Sequence, residues 1–246
     1  MIISIVNQKG GTAKTTTAIN ISSGLVKQDK KVLLLGMDLQ GDISYALNIT
    51  NQEKSISEVL MGEVLIQDII LQREGIDVIP TNISLADVEL SIGKVENNSY
   101  LLKTYLSVIN KNYDYVIIDC SPSLSLLTLN ALCASDQIII PLQLTVMGVN
   151  GLELMLSTVE KVKKILNPSL KIMGILPVIV DKRKNLSKEI MNYLIEMFSI
   201  RIFKNSIRAN VKAAEAPSFG ISVLEYAPNS TSAIDYKNLV KEIINS

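Results

Sequence analysis

The stretch Asn7-Gln8-Lys9-Gly10-Gly11-Thr12-Ala13-Lys14-Thr15-Thr16-Thr17 links an apolar run, Ile2-Ile3-Ser4-Ile5-Val6, to a helical pattern. A strand that feeds a glycine-containing loop, and then a helix opening on Lys-Thr, is a cradle for phosphate. Successive backbone N–H groups from Lys9 through Thr16 and the positive end of the helix face a polyphosphate. Lys14 reaches its outer oxygens, and Thr15 offers a hydroxyl to Mg²⁺. The common loop pattern G-x-x-x-x-G-K-[ST] is not met, because Gln8 and Ala13 stand at its two glycine positions. What stands instead is K-G-G-x-x-K-T, with a second lysine, Lys9, at the loop entrance. Lys14 already supplies the cation that a nucleotide takes from its own loop. Lys9 is well placed to reach a nucleotide held by a second copy of the chain, although taken alone it reads equally as a lysine on a solvated loop.

Two further segments are expected to converge on the same phosphates. Met37-Asp38-Leu39-Gln40-Gly41-Asp42 ends one apolar run, and Asp119-Cys120-Ser121-Pro122-Ser123 ends another, Tyr115-Val116-Ile117-Ile118. A carboxylate at the carboxyl end of a buried strand, facing a phosphate loop, holds a Mg²⁺ shell or an attacking water. Asp119 taken alone also reads as the cap of the next helix. Two such aspartates on two strands favour the metal or water role.

The elements that must carry these residues alternate along nearly the whole chain. Strand-like runs fall at residues 2–6, Val32–Met37, Ile76–Ile79, Tyr115–Ile118, Gln137–Pro141 and Ile172–Val180, with a short one near Arg201–Phe203. Helical patterns cover Thr15–Gln28, Ser99–Asn110, Ser123–Ala134 and Asn150–Leu166. Such alternation predicts an α/β fold, a mostly parallel, doubly wound sheet with helices on both faces and ligands at the carboxyl ends of its strands. At 246 residues, 48% apolar, with no repeat or linker, the chain is expected to form one domain, 1–246.

Met1 leads straight into the first strand without a basic leader, and no apolar run approaches the ~20 residues of a membrane span, so an intracellular chain is expected. Histidine is absent, which removes imidazole metal sites and histidine bases. The two cysteines, Cys120 and Cys133, read as buried thiols.

Taken together these segments resemble the ParA/Soj-type DNA-partitioning ATPases, members of the ParA/MinD superfamily with a deviant Walker A loop. The resemblance rests on Asn7-Gln8-Lys9-Gly10-Gly11, Asp38-Leu39-Gln40-Gly41, Asp119-Cys120-Ser121-Pro122-Ser123-Leu124 and Leu127-Thr128-Leu129-Asn130-Ala131-Leu132. It continues through Asn185-Leu186-Ser187, Asn210-Val211 and Glu215-Ala216-Pro217-Ser218-Phe219-Gly220. It implies ATP and Mg²⁺ as ligands, with Lys14 on the β- and γ-phosphates and Thr15 on the metal. Asp38 would position the attacking water, and Asp119 would support the metal through water. Lys9 would reach the partner's nucleotide across a homodimer, and Asn210 and Pro217 would lie in the stretch closing over adenine. It further implies weak ATP hydrolysis stimulated by DNA and a ParB-like partner, non-specific DNA binding, and a cytoplasmic, nucleoid-associated protein that moves plasmids or chromosomes.

The departures from the family pattern are Gly36 and Leu39 in place of an aspartate and a proline, and Ala13 in place of a glycine. Arg208-Ala209-Asn210 stands where relatives carry Pro-Arg-Asn, and Leu144-Thr145-Val146-Met147 replaces an acidic and aromatic cluster. Ala13 is expected to begin the helix with negative φ, where alanine is favoured.

Formal net charge is zero, yet Lys182, Arg183, Lys184, Lys188, Arg201, Lys204, Arg208 and Lys212 crowd one late stretch against Asp181, Glu189 and Glu196. Lysine and arginine contacts to phosphate give salt-sensitive, sequence-independent DNA affinity. Taken alone such a cluster reads as ordinary solvated surface; the resemblance implies that it binds DNA, with Arg183, Arg201, Lys204, Arg208 and Lys212 as the DNA-binding residues. Two alternatives are a family member that positions a non-DNA cargo on the nucleoid and a MinD-like membrane ATPase. The latter calls for a terminal amphipathic helix with a basic face, whereas residues 236–246 are short and mixed in charge and read as a helix packed on the domain.

Overall fold

The computed structural model describes residues 1–50, 52, 54–82, 84–181 and 183–246. Its strands are β1 (Ile2–Ile5), β2 (Val32–Met37), β3 (Leu71–Arg73), β4 (Ile76–Ile79), β5 (Tyr115–Cys120), β6 (Gln137–Gln143) and β7 (Lys171–Val178). They form one sheet in the order β3-β4-β2-β5-β1-β6-β7, parallel throughout except for β3 against β4. The helices among the described residues are α1 (Lys14–Val26), α2 (Asp42–Ala46), α3 (Ile56–Leu60), α4 (Leu85–Ile92), α5 (Leu101–Ile109) and α6 (Leu126–Ala134). They continue with α7 (Val146–Ile165), α8 (Asn185–Met197), α9 (Val211–Glu215), α10 (Val223–Tyr226) and α11 (Thr231–Ile244).

Parallel strands need cover on both faces, and the central strands divide their side chains accordingly. Leu33, Leu35, Val116 and Ile118 enter a core with α5, α6 and α7, while Leu34, Ile5, Tyr115 and Ile117 enter a second core with α1 and α11. The period of two in a strand carries this division to the strand ends. Residues 115, 117 and then Asp119 share the α1 face, as do residues 32, 34 and 36. The catalytic-looking carboxylate at the end of β5 is thereby aimed at the helix that follows the phosphate loop.

The predicted runs for β2 and β4 match the strands found. β5 extends two residues further than expected and takes Asp119 and Cys120 into the strand. The short run near Arg201–Phe203 is not a strand; it contributes only an isolated bridge of Ile202 to Ile175, and a second bridge joins Arg208 to Val180. The edge strand β3 has no apolar alternation to announce it and was not expected. α6 begins at Leu126 rather than Ser123, because Ser125 caps it by accepting from Thr128 N, while the Ser123 carbonyl accepts from Thr128 Oγ1 at 2.8 Å. α7 starts at Val146, a turn earlier than expected, on a Thr145 cap. Both cysteines are free and buried.

α11 buries Tyr236, Leu239, Val240 and Ile243 against α1 and its surroundings. The approach is close at Gly24, where a Cβ would stand 2.6 Å from Val240 Cγ2. Its apolar face is thus used inside the fold, which counts against a membrane-binding terminal helix. No helix among the described residues is long and apolar enough to cross a membrane.

Candidate phosphate-binding site

The loop between β1 and α1 is braced from three sides. Asn7 donates through Nδ2 to the Pro141 carbonyl of β6 at 2.7 Å, and its Oδ1 accepts from Lys9 N at 2.9 Å. Gln8 Nε2 donates to Thr158 Oγ1 of α7, and Gln143 Nε2, at the end of β6, donates to the Gly11 carbonyl at 2.7 Å. Gln143 escaped the sequence reading; a polar residue closing a strand beside the loop was the available signal. Gly10 has open space around it, and Gly11 turns with φ +71°.

Ala13 corrects an expectation. It has φ 55° and ψ 33°, in the left-handed region, and caps α1 without a side-chain hydrogen bond. The chain must reverse there so that the Ala13 carbonyl can accept the first helical bond, from Thr17 N at 2.9 Å, and this geometry outweighs alanine's preference for negative φ.

The loop and the strand ends enclose a cleft of about 320 Å³ whose walls include Lys14, Thr15, Asp38, Gln40, Asp42 and Pro122. Lys14 is buried and rests its Nζ 3.3 Å from the Lys9 carbonyl. Burial lowers its pKa, against the pull of the Asp119 and Asp38 carboxylates. The Lys9 side chain makes no hydrogen bond or ion pair among the described residues, leaving it available beyond its own loop.

Asp119 is completely buried, and its Oδ2 accepts from Thr15 Oγ1 at 2.6 Å. Its Oδ1 is the one buried side-chain polar atom without a partner among the described residues. Burial pushes this carboxyl up to about 7 even though the Thr15 hydrogen bond favours the charged form. Because Thr15 donates its proton to Asp119, both lone pairs of its oxygen stay free. A hydroxyl oxygen, an orphaned carboxylate oxygen and the nearly buried Asp38 make a hard-oxygen set that suits a divalent cation and its waters. Asp38 itself accepts from Gln40 N at 3.0 Å. Asp42, not singled out from the sequence, opens α2, and its carboxyl is raised by desolvation first and the Asp38 charge second.

A second cleft, of about 210 Å³, lies on the other side of the loop and shares Ala13 and Thr16 with the first. Asn210 lines it, together with Ile207, Arg208, Ala213 and Tyr236. Pro217 does not line it and sits in the following 3-10 turn, Ala216–Phe219.

The basic residues are mostly engaged. Arg183 pairs with Asp181, Arg201 with Glu242, Arg208 with Asp235 and Lys212 with Glu215. Of the five expected DNA contacts, Lys204 alone makes no ion pair among the described residues. Lys182 lies outside the described residues.

Comparison with known proteins places the chain. The AAA domain family model matches residues 1–172. The chain is 40% identical to the sporulation initiation inhibitor protein Soj of Bacillus subtilis, over 98% of this chain and 97% of that one. It is 38% identical to the chromosome partitioning protein ParA of Caulobacter vibrioides, over 99% of this chain and 94% of that one. It belongs to the ParA/Soj family of partitioning ATPases. Among solved structures, cobyrinic acid a,c-diamide synthase from Mycobacterium smegmatis with an ATP analogue and magnesium superposes with a TM-score of 0.88 at 31% identity, covering 99% of this chain and 94% of that one. A protein of Borrelia burgdorferi assigned to plasmid partition, bound to AMPPNP, gives 0.83 at 28% identity, covering 99% and 98%.

One departure of this ParA-family chain from its relatives has a packing reason. At Gly36, which the resemblance sets against an aspartate, a Cβ would lie 2.7 Å from Thr81 Oγ1, which donates to the Gly36 carbonyl at 3.3 Å. Thr81 has taken the space.

Replacing Ala13 with glycine should raise stability by about 1 kcal/mol in urea denaturation, since the relief of left-handed strain exceeds the entropy glycine adds to the unfolded chain. An equal or lower midpoint contradicts the strain. Between the ordinary carboxyl value and about 7 the folded chain holds the Asp119 proton that the unfolded chain has lost, so stability falls as pH rises through that window. At about 1.4 kcal/mol per pKa unit, Asp119→Asn should gain on the order of 2–4 kcal/mol relative to the unmodified protein between pH 4.5 and 7.5, without nucleotide or divalent cation. A pH-independent difference contradicts the raised pKa.

Proposed function

We propose that this chain binds MgATP over the Lys9–Thr16 loop, hydrolyses it slowly, and is driven by that cycle between a monomer and a two-fold homodimer that binds DNA. The buried set of Lys14, Thr15 and Asp119, tied by the 2.6 Å hydrogen bond, is the observation that carries this reading. In this role Lys14 exchanges the Lys9 carbonyl for the outer phosphate oxygens, and the loop N–H groups of Gly10 through Thr16 meet the remaining charge. Thr15 directly, with Asp119 and Asp38 through water, would hold the magnesium ion, which would neutralise charge on the phosphates. Asp38 orients the attacking water. No arginine stands in the phosphate cleft among the described residues, so the charge of the transition state is under-stabilised and intrinsic turnover is low.

Lys9 acts across the dimer, whose two nucleotides lie between the subunits. The whole chain, 1–246, works as one nucleotide-driven unit. A ParB-like partner and DNA accelerate it, and its cellular task is plasmid or chromosome partitioning on the nucleoid; a chromosome partitioning protein and a plasmid partition protein among its relatives support the partitioning part of this reading. Lys14→Ala should lose nucleotide binding, measured by calorimetry. Asp38→Ala should bind ATP without turnover and accumulate as the dimer. Light scattering that finds the same mass for Asp38→Ala with and without ATP would sink the dimer reading.

DNA binding follows from lysine rather than arginine. A cation already paired with a carboxylate gains less from a phosphate than one that is solvated, so Lys204 should contribute more than Arg201 or Arg208. Lys188 lines a groove with Ser206, two residues from Lys204. With ATP, Lys204→Ala should lower the magnitude of the salt slope by about 0.9, equally for unrelated duplexes. Gel shifts at two salt concentrations measure this. Equal affinity with ATP, with ADP and without nucleotide would show that dimerisation does not switch the surface.

A further inference from the structure

The phosphate cleft and the second cleft share Ala13 and Thr16, so a nucleotide with its phosphates over the loop extends its base into the second. The far wall of that second cleft is the stretch from Ile207 to Asn210. This wall belongs to no strand. Its backbone is anchored on one side by the extension of β7, where Ile207 N donates to the Pro177 carbonyl at 2.9 Å and Ala209 N to the Val180 carbonyl at 3.2 Å.

The other anchor is α11. Asp235 Oδ2 accepts from both Arg208 N and Arg208 Nε at 2.9 Å, and its Oδ1 accepts from Arg208 Nη2 at 2.7 Å. One carboxylate thus fixes the backbone and the forked guanidinium of the same residue. The Asp235 side chain is only 10% exposed, against 37% for Arg208. One turn earlier on α11, Thr231 Oγ1 accepts from Asn210 Nδ2 at 2.6 Å. The other end of that amide is also occupied, because Asn210 Oδ1 accepts from Lys212 N at 2.8 Å. Asn210 is therefore turned into its own helix cap and toward α11. The next residue on α11, Tyr236, lines the cleft and holds its hydroxyl 3.2 Å from Thr17 Oγ1 of α1. One helix consequently touches both walls of the cleft.

We propose that Asp235 is a positioning residue for the nucleobase: through Arg208 it sets the far wall of the base cleft from α11, and Arg208 serves this tie rather than a DNA phosphate. This rests on the nucleotide reading above. The base meets backbone and the apolar faces of Ile179, Ile207 and Ala213, surfaces whose spacing from α1 depends on where α11 holds Arg208. Inorganic tripolyphosphate touches the loop alone and does not depend on that spacing.

The test is calorimetric titration of the full chain with MgATP and with magnesium tripolyphosphate. Asp235→Asn keeps the shape of the side chain and removes the charge; it should weaken MgATP about tenfold, as expected for the loss of charge-assisted hydrogen bonds, and change tripolyphosphate by less than about twofold. Arg208→Lys keeps the charge without the fork and should show the same split to a smaller extent. It carries the comparison if Asp235→Asn does not fold. MgATP affinity unchanged in both variants overturns the proposal, and so does equal weakening of both ligands, which marks a general loosening of the chain. Failure of the unmodified protein to bind either ligand overturns the nucleotide reading itself and this inference with it.

Discussion

Asp119 is the penultimate residue of a central strand, completely out of water, and a carboxylate in that position must be protonated, paired or coordinated. The Thr15 hydroxyl answers half of the demand, across 104 residues of sequence, by donating to Oδ2. The other oxygen is left open. This one contact fixes the first turn of α1 against the end of β5, and with it the height of the phosphate loop above the sheet. Lys14, one residue earlier, is then held within reach of the Asp119 and Asp38 charges, which offset part of the penalty for burying its ammonium. A loop placed a turn higher would leave both charges buried without compensation.

That placement is written in the parity of the strands. The apolar runs of β2 and β5 each alternate between two cores, and the phase of the alternation determines which face the next side chain takes. Asp119 faces α1 because Tyr115 and Ile117 do. The sequence therefore showed more than the existence of a strand followed by an aspartate; it held the direction of the carboxylate. The edge strand β3 was not legible because its three residues, Leu71-Gln72-Arg73, lack a period and are half-exposed. The stretch at Arg201–Phe203 failed in the opposite sense. It has strand-like residues but makes only an isolated bridge to β7, because Glu242 takes up Lys204 N and Asn205 N at 3.0 and 3.2 Å and interrupts a pairing that resumes at Ile207 N on the Pro177 carbonyl.

Charge was the least legible property. The late stretch reads as a basic patch along the sequence, but of the carboxylates that answer it only Asp181 lies within that stretch; Asp235 and Glu242 come from α11 and Glu215 from the end of α9. Pairing partners separated by 27 or 41 residues are invisible to a local count. α11 is the element that reorganises this region. Its apolar face packs on α1 and its acidic residues on the 201–210 stretch, so the helix expected to pack on the domain also lines the second cleft through Tyr236.

Ala13 shows how such a framework tolerates a residue that local preference rejects. Its left-handed conformation costs an alanine on the order of 1–2 kcal/mol, and its neighbours hold the loop in place regardless. Gln143 grips the Gly11 carbonyl, Asn7 ties Lys9 N to β6, and the Ala13 carbonyl receives the first bond of α1. A negative φ at Ala13 would swing the Gly11–Thr12 peptides away from Gln143 and take Thr15 from Asp119. The strain is therefore smaller than the sum of contacts that its relief would break, which is why a sequence expectation based on alanine alone gave the wrong sign for φ. The same contacts hold the loop backbone in place before any ligand arrives, so ligand binding need not supply the free energy to order it.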